Sequence, residues 1–289
     1  MLRLAVATQA ESYDRLREPL AERDIDVVAL QTTERTIPIG GVSFPDVDVG
    51  YVFPPRLMEG DVAAAALSVP WVNDRAAVLR SRNKAGTLQR LSDAGVSVPE
   101  TVLISDPVER EDLIAAFDRF DPPVLVKPNS ASRGAGVTLA HDLDSFLGIA
   151  DYLDLVHDYR AADDQSFLVQ EYVPDAHDYR VMVLDGAVIG AVERRLPEAV
   201  DTDRWKHNVH HGGTPTPVEL DDESRAIAER VADVLEIPLL GVDLLATEGR
   251  IVVTETNARP TIDPEHYADG FWDRLAATIR RVAGRDGHR

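Results

Sequence analysis

Apolar and polar positions along the chain follow two rhythms, and they change places in a regular order. Residues 2–8, "LRLAVAT", read as a strand, residues 10–23 as a helix, and residues 25–30, "IDVVAL", as a second strand. "VDVGYVFP" is a third strand, and this βαβ rhythm predicts a small parallel-sheet unit that ends near "VPWVND". Asn73 or Asp74 is placed to cap the next helix, which carries Lys84 and ends near Gly95.

A second region starts near "VSVPETVLI". It holds a helix over "EREDLIAAFDRF", a strand–loop–strand over "VLVKPNSASRGAGVTL" and a helix around residues 143–159. The polar stretch "HDYRAADDQ" reads as a surface linker. From Phe167 the pattern changes again. "FLVQEYV" is an apolar strand, and "YRVMVLDGAVIGAVERR" sets Asp185-Gly186 between alternating apolar runs, a strong hairpin signal. A long loop, "LPEAVDTDRWKHNVHHGGTPTPVEL", precedes the helix "DDESRAIAERVADVLEI". "LLGVDLLATEGRIVVTETNARP" is a further hairpin turning at Glu248-Gly249, and a helix near residues 270–283 follows. The order is α/β, then α+β, then α+β.

Composition narrows the function classes. The 289 residues can bury a core for two or three subdomains. No apolar stretch approaches a bilayer span, and the first residues lack a signal-peptide core, so a cytoplasmic protein without a membrane role is expected. There are no cysteines, which removes disulfides, thiol catalysis and cysteine-bound zinc. A net charge of −20 opposes nucleic-acid binding. Of the 30 basic residues only Lys84, Lys127 and Lys206 are lysines, an arginine-for-lysine style that resembles the proteins of salt-adapted archaea. Each retained lysine invites an explanation, such as a place where a compact point charge on a slim stem fits and a guanidinium does not, with chance retention as the alternative.

Three segments carry candidate chemistry. In "VLVKPNSASRGAGVTL" the lysine precedes Gly134 and Gly136, so the stretch is neither a Walker A loop nor a dinucleotide fingerprint. Lys127 at a strand end facing a glycine loop can reach nucleotide phosphates. A plain hairpin with a flexible tip fits the same residues. In the last hairpin Glu255 and Asn257 are two apart and share a strand face, while Asp243 sits roughly across the turn. Three oxygen donors at one hairpin end suit Mg²⁺, and two acids in apolar strands are costly to bury without a counter-charge. On an edge strand they would instead face solvent. In "DRWKHNVHHGG", His207, His210 and His211 make a weak metal pattern, with no helix to set their geometry. Lys206, Asn208 and His207 over phosphate or acceptor groups are the better fit.

In this order the segments "RNKAGTLQRLSDAGVSVPET", "VLVKPNSASRGAGVTL", "FLVQEYVPDAHDYRVMVLDGAVIGAVERR", "WKHNVHHGG" and "GVDLLATEGRIVVTETNA" resemble those of the RimK-like amino-acid ligases of the ATP-grasp superfamily. The resemblance spans about residues 80–258. It implies an ATP-grasp fold: an N-terminal parallel α/β domain over 1–80, a central lid subdomain over 81–166 and a C-terminal antiparallel sheet with helices over 167–289. It implies that Lys84 and Lys127 meet the nucleotide phosphates, with the Gly134–Gly136 loop as a flap. Glu171, Tyr172 and Val173 would meet adenine, and Asp178 the ribose. Lys206, His207 and Asn208 would touch the phosphates, and Asp243, Glu255 and Asn257 would bind Mg²⁺, with Mn²⁺ as an alternative. Arg180 and Arg194, with Lys206 and Asn208, are the candidates for holding the acceptor carboxylate or acyl-phosphate.

The implied activity is ATP-dependent joining of an amino acid, glutamate first among them, to a carboxylate acceptor such as a coenzyme tail, a peptide or protein terminus, or a carrier protein. A ligase of a small metabolite and a non-catalytic nucleotide-binding module are the alternatives. Homo-oligomerisation is left open. Two departures bear on the substrate. Glutamate-adding relatives carry arginine where this chain has Lys206. They also continue Asn-Ala with Ser-Pro-Gly, where this chain has "NARPTIDPEHY", so that Arg259 adds a charge near the acceptor.

Overall fold

The computed structural model describes residues 1–7, 12–40, 44–130, 136–156, 165–195, 214–267 and 269–284. Three sheets follow one another along the chain. The first is parallel, in the order β2-β1-β3-β4, and is built from β1 (Leu2–Ala7), β2 (Ile25–Leu30), β3 (Val49–Val52) and β4 (Trp71–Asn73). Helices α1 (Ser12–Ala21) and α2 (Leu57–Leu67) connect its strands, as the βαβ rhythm requires. The alanine-rich α2 has no one-sided apolar stripe, which is why the pattern alone does not announce it.

The second sheet is antiparallel, in the order β5-β8-β6-β7: β5 (Thr101–Ser105), β8 (Ser166–Glu171), β6 (Val124–Pro128) and β7 (Thr138–Ala140). Its helices α5 (Arg110–Phe117) and α6 (Leu143–Val156) cover one face, where Phe117, Val126, Phe146 and Val169 form a separate core. Strand β8 pairs with β5 and β6, so residues from Ser166 to Glu171 sit in this sheet and not with the strands that follow them.

The third sheet is antiparallel, in the order β11-β10-β9-β12-β13: β9 (His177–Leu184), β10 (Ala187–Arg195), β11 (Thr214–Pro217), β12 (Leu239–Ala246) and β13 (Ile251–Asn257). Both expected hairpins form. Asp185 and Gly186 take φ of 50° and 76°, the two positive values that a type I′ turn needs. Strand β11, Pro-rich and at the sheet edge, was hidden in the long loop because proline supplies no ladder N–H. Helix α7 (Asp222–Leu235) packs behind the sheet, α8 (Phe271–Gly284) packs on β3 and β4 of the first sheet, and one core runs from Leu4 and Tyr51 of the first sheet to Val181, Leu240 and Val253 of the third. Among the described residues no helix is long and apolar enough to cross a membrane.

The helix expected to run from Asn73 or Asp74 to Gly95 is two helices, α3 (Arg75–Arg82) and α4 (Lys84–Asp93). Asp74 caps the first, its carboxylate accepting from Ala77 N at 2.8 Å. Asn83 leaves helical geometry (φ −78°, ψ 91°) and caps the second through Gly86 N at 2.9 Å. The break gives Lys84 its own helix start. Asn73 has another task. It is wholly buried, donates to the carbonyls of Leu239 and Ala258 at 2.6 Å each, and accepts from Leu239 N at 3.2 Å. One amide thus ties β4 of the first sheet to β12 and to the end of β13. Asn73→Ala removes three buried hydrogen bonds and should cost about 2–4 kcal/mol, read as a lower urea midpoint with an unchanged slope. A loss below about 1 kcal/mol would mean that this tie contributes little.

Candidate active site

Register across the third sheet builds the site. Arg180 on β9 lies opposite Asp243 on β12, and Asp243 lies opposite Glu255 on β13. Directly opposed residues point to the same face, so the three form a row across three strands. Arg194 and Asp178 belong to the same face of β10 and β9. The pairing shifts by one between Asp243/Glu255 and Leu244/Val253, which leaves Thr254 as a bulge. A bulge re-aims the residues beside it. Here the Thr254 hydroxyl donates to Asp243 O at 3.3 Å, and its carbonyl accepts from Lys127 Nζ at 3.4 Å.

Asp243 is buried and held by two guanidiniums. Arg180 donates Nε to Oδ1 and Nη2 to Oδ2, both at 2.7 Å, and Arg194 Nη1 reaches Oδ2 at 3.3 Å. Arg194 also grips Asp178 with Nη2 and, at 3.2 Å, with Nε. Burial alone would raise the Asp243 pKa, but Arg180 and Arg194 outweigh it and hold the carboxyl at about 2. The same attraction raises both arginines against the opposing effect of burial. Arg180 and Arg194, expected to face substrate, are therefore first of all the counter-charges of Asp178 and Asp243.

Two lysines arrive from outside this sheet. Lys84 Nζ, at the start of α4, donates to Glu255 Oε1 at 3.0 Å. Lys127, on β6 of the second sheet, is buried and donates to Gln170 Oε1 at 2.8 Å. Burial lowers its pKa to about 8, with Lys84 adding to the fall and Glu255 and Asp243 opposing it. The structure thus brings Lys84, Lys127, Asp178, Arg180, Arg194, Asp243 and Glu255 together. Asn257, one strand repeat beyond Glu255, accepts from Arg259 N at 2.9 Å through Oδ1.

The oxygen donors suit a hard divalent cation. A carboxylate has about four lone-pair positions. The three arginine bonds to Asp243 leave one, on Oδ1, while Lys84 takes Oε1 of Glu255. Asn257 keeps a second lone pair. Two acids and an amide on one face of the β12–β13 pair make a small oxygen set of the Mg²⁺ type. Among the described residues no group of three or more His, Cys, Asp or Glu has metal-site geometry, so the amide is needed to complete a triad.

Other expected residues are placed less centrally. Glu171 spends its carboxylate on Arg250, at 2.6 and 3.1 Å, and on Glu100 N at 2.8 Å, which locks the end of β8 to the last hairpin. Tyr172 follows it half-buried, and Val173 is buried. Gly136 has φ +73°, and a Cβ there would meet Pro128 Cγ at 2.8 Å, so the loop needs glycine at that point. Gly134, Lys206, His207, Asn208, His210 and His211 lie outside the described residues.

Two buried residues were missed. Gln170 positions Lys127 and donates to Thr101 Oγ1 at 2.7 Å. Asn129 accepts from Ala85 N at 2.9 Å and so docks α4 onto β6. A polar residue inside the apolar run "FLVQEYV" was the available signal for the first; nothing local marks the second.

Lys127 generates a pH prediction. Its folded pKa lies below the unfolded value, so between about pH 8 and 10 the unfolded chain binds more protons and stability rises with pH. Relative to Lys127→Met, the wild type should gain about 1–2 kcal/mol between pH 7.5 and 9.5 in urea unfolding. A gap that stays flat across that range would contradict the buried, charge-strained lysine.

Comparison with known proteins identifies the family and the fold. The RimK-like ATP-grasp domain model matches residues 81–269. A protein of Thioalkalivibrio sulfidiphilus named "Probable alpha-L-glutamate ligase" is 33% identical over 208 residues, covering 69% of this chain and 62% of that protein. A Klebsiella pneumoniae protein of the same name is 32% identical over 224 residues, covering 73% and 68%. Among solved structures, D-alanine–D-alanine ligase from Bacillus anthracis complexed with ATP superposes with a TM-score of 0.72 at 16% identity, covering 98% of this chain and 97% of that one. The ATP-grasp ligase PsnB complexed with minimal precursor gives 0.68 at 19% identity, over 96% and 98%. At these identities the likeness is one of fold, and that fold is ATP-grasp. With its family model, its relatives and its fold in agreement, this chain belongs to the RimK-like ATP-grasp family.

Proposed function

We propose that the protein is an ATP-dependent carboxylate–amine ligase that adds an amino acid, glutamate first among the candidates, to a carboxylate acceptor. The observation that supports this most is the Arg180–Asp243–Glu255 row with Lys84 and Lys127 converging on it from two other elements. A positively biased, partly dry cluster beside an oxygen-donor triad suits a polyphosphate and its cation.

ATP is a substrate in this proposal. In the first step an acceptor carboxylate oxygen attacks the γ-phosphorus, the bond from the β–γ bridging oxygen to that phosphorus breaks, and ADP leaves. The product is an acyl-phosphate. In the second step the amine nitrogen attacks the acyl carbon, the carbon–oxygen bond to phosphate breaks, and the nitrogen loses a proton. An amide and inorganic phosphate result. Lys84 and Lys127 neutralise phosphate oxygens, and Arg180, with three N–H donors beyond those given to Asp243, faces the transferred group. Asp243, Glu255 and Asn257 would hold Mg²⁺, or Mn²⁺, which when bound supplies charge neutralisation at the phosphates. The backbone of Glu171–Val173 would face adenine and Asp178 the ribose, while Lys206, His207 and Asn208 would close over the phosphates.

The proposal keeps an N-terminal unit (1–80), a central lid (from 81) and a C-terminal unit (to 289), with one shift from the expected 81–166 and 167–289. The second seam falls after Glu171, because β8 belongs to the central sheet. The central sheet's own core is what would let it move as a body over the nucleotide.

ADP or phosphate release with L-glutamate and a panel of carboxylate acceptors tests the activity. Lys127→Ala should lower turnover at least 100-fold, and Lys84→Ala should raise the ATP KM by 10-fold or more. Unchanged activity in Lys127→Ala would sink the site assignment. ATP binding without turnover on any acceptor would favour the nucleotide-binding module.

A further inference from the structure

Two guanidiniums outside the row have no role in the chemistry above. Ser81 Oγ donates to or accepts from Thr256 Oγ1 at 3.1 Å and accepts from Ala258 N at 3.0 Å, pinning the end of α3 to the end of β13. The next residue on each segment is an arginine: Arg82 and Arg259. Both reach over the loop that leaves β3. Arg259 Nη2 donates to Phe53 O at 2.5 Å and Val52 O at 3.4 Å, and Arg82 Nη2 donates to Pro55 O at 2.9 Å. The pair therefore stands at the carboxyl end of a parallel strand, the edge where open α/β sheets take ligands. It is also next to the proposed reaction centre, since Arg82 lies two residues before Lys84 and Arg259 two residues after Asn257.

Among the described residues no carboxylate faces Arg82 or Arg259. Every other arginine of the site has an acid. The third member is Tyr51 on β3 itself, whose buried hydroxyl has no hydrogen-bond partner among the described residues. Two half-buried guanidiniums held against carbonyls of one short segment, Val52 to Pro55, with a buried hydroxyl on the residue before it, are costly to keep without an anion.

We propose that Arg82 and Arg259, backed by Tyr51, bind a substrate carboxylate distinct from the one that is phosphorylated. This rests on the ligase function proposed above and narrows it. The substrate bound at the β3 edge carries a second, spectator carboxylate, which two planar guanidiniums can grip in bidentate fashion. That carboxylate belongs either to the incoming amino acid or to the acceptor.

Calorimetry on the full chain tests this without turnover, in the presence of Mg²⁺ and ADP. The probes are L-glutamate, L-glutamine (α-carboxylate kept), L-isoglutamine (γ-carboxylate kept) and the dipeptide L-Glu-L-Glu as acceptor mimic. Arg82→Gln and Arg259→Lys should each weaken carboxylate probes at least 10-fold, while the Kd for ADP changes less than 2-fold. Arg dependence for glutamate and glutamine but not isoglutamine assigns the α-carboxylate of the amino acid. Arg dependence for the dipeptide alone assigns the acceptor. Failure of the wild type to bind any probe, or probe affinities unchanged in both folded variants, overturns the proposal and leaves the two arginines as clamps on the β3 loop. Loss of ADP binding by the wild type would overturn the ligase function, a separate result from loss of probe binding alone. Arg259→Lys keeps a cation for the loop carbonyls, and Arg82→Gln leaves Arg259 in place, so a folding defect in one variant still leaves the other to decide.

Discussion

The carboxylate of Asp243 sits in the middle of a five-stranded sheet, and no isolated anion could stay charged there. Burying it costs several kcal/mol unless cations come with it. Arg180 and Arg194 supply them, Asp178 balances Arg194 in turn, and Glu255 draws in Lys84. Each charge is tolerable because the next is present. The row constrains the register of β9, β12 and β13, since a slip of one residue would turn Arg180 away from Asp243 or Glu255 away from Lys84.

The same constraint explains why the elements around the row are so tightly joined. Asn73 ties the first sheet to β12 and β13, Ser81 ties α3 to β13, and Asn129 docks α4 onto β6. Each is a buried polar side chain bonded to backbone, and such bonds fix position better than apolar contact, which slides. They bring Lys84 within 3.0 Å of Glu255 and keep Arg82 and Arg259 on adjacent segments. The central sheet differs. It packs on its own helices and meets the third sheet through Lys127 on Thr254 O and through the Glu171–Arg250 pair.

Much of the fold was legible because its signals are local. Asp185-Gly186 between alternating apolar runs could hardly be anything but a hairpin, and the βαβ rhythm of the first 74 residues follows from where apolar residues recur. Asp243, Glu255 and Lys127 stood out because a charge inside an apolar run demands an explanation. The break at Asn83 was not legible, since "RSRNKAG" has helical spacing on both sides and only the bond from Gly86 N shows that Asn83 is a cap. Strand β11 was not legible either, because an edge strand borrows its identity from β10.

By itself, the sequence determined the local elements, the positions where charge interrupts apolar runs, and the residue types from which a phosphate and metal site can be built. Tertiary structure decided which charges meet. Arg180 and Asp243 are 63 residues apart and Lys84 and Glu255 171, and their pairing depends on strand order and a one-residue bulge at Thr254. Ion-pair energy falls with distance and rises with burial, and neither quantity exists along an unfolded chain. That is also why Arg259 could be noticed in the sequence as an extra charge, while its partnership with Arg82 and Tyr51 emerged only when α3, β3 and β13 were brought to one edge.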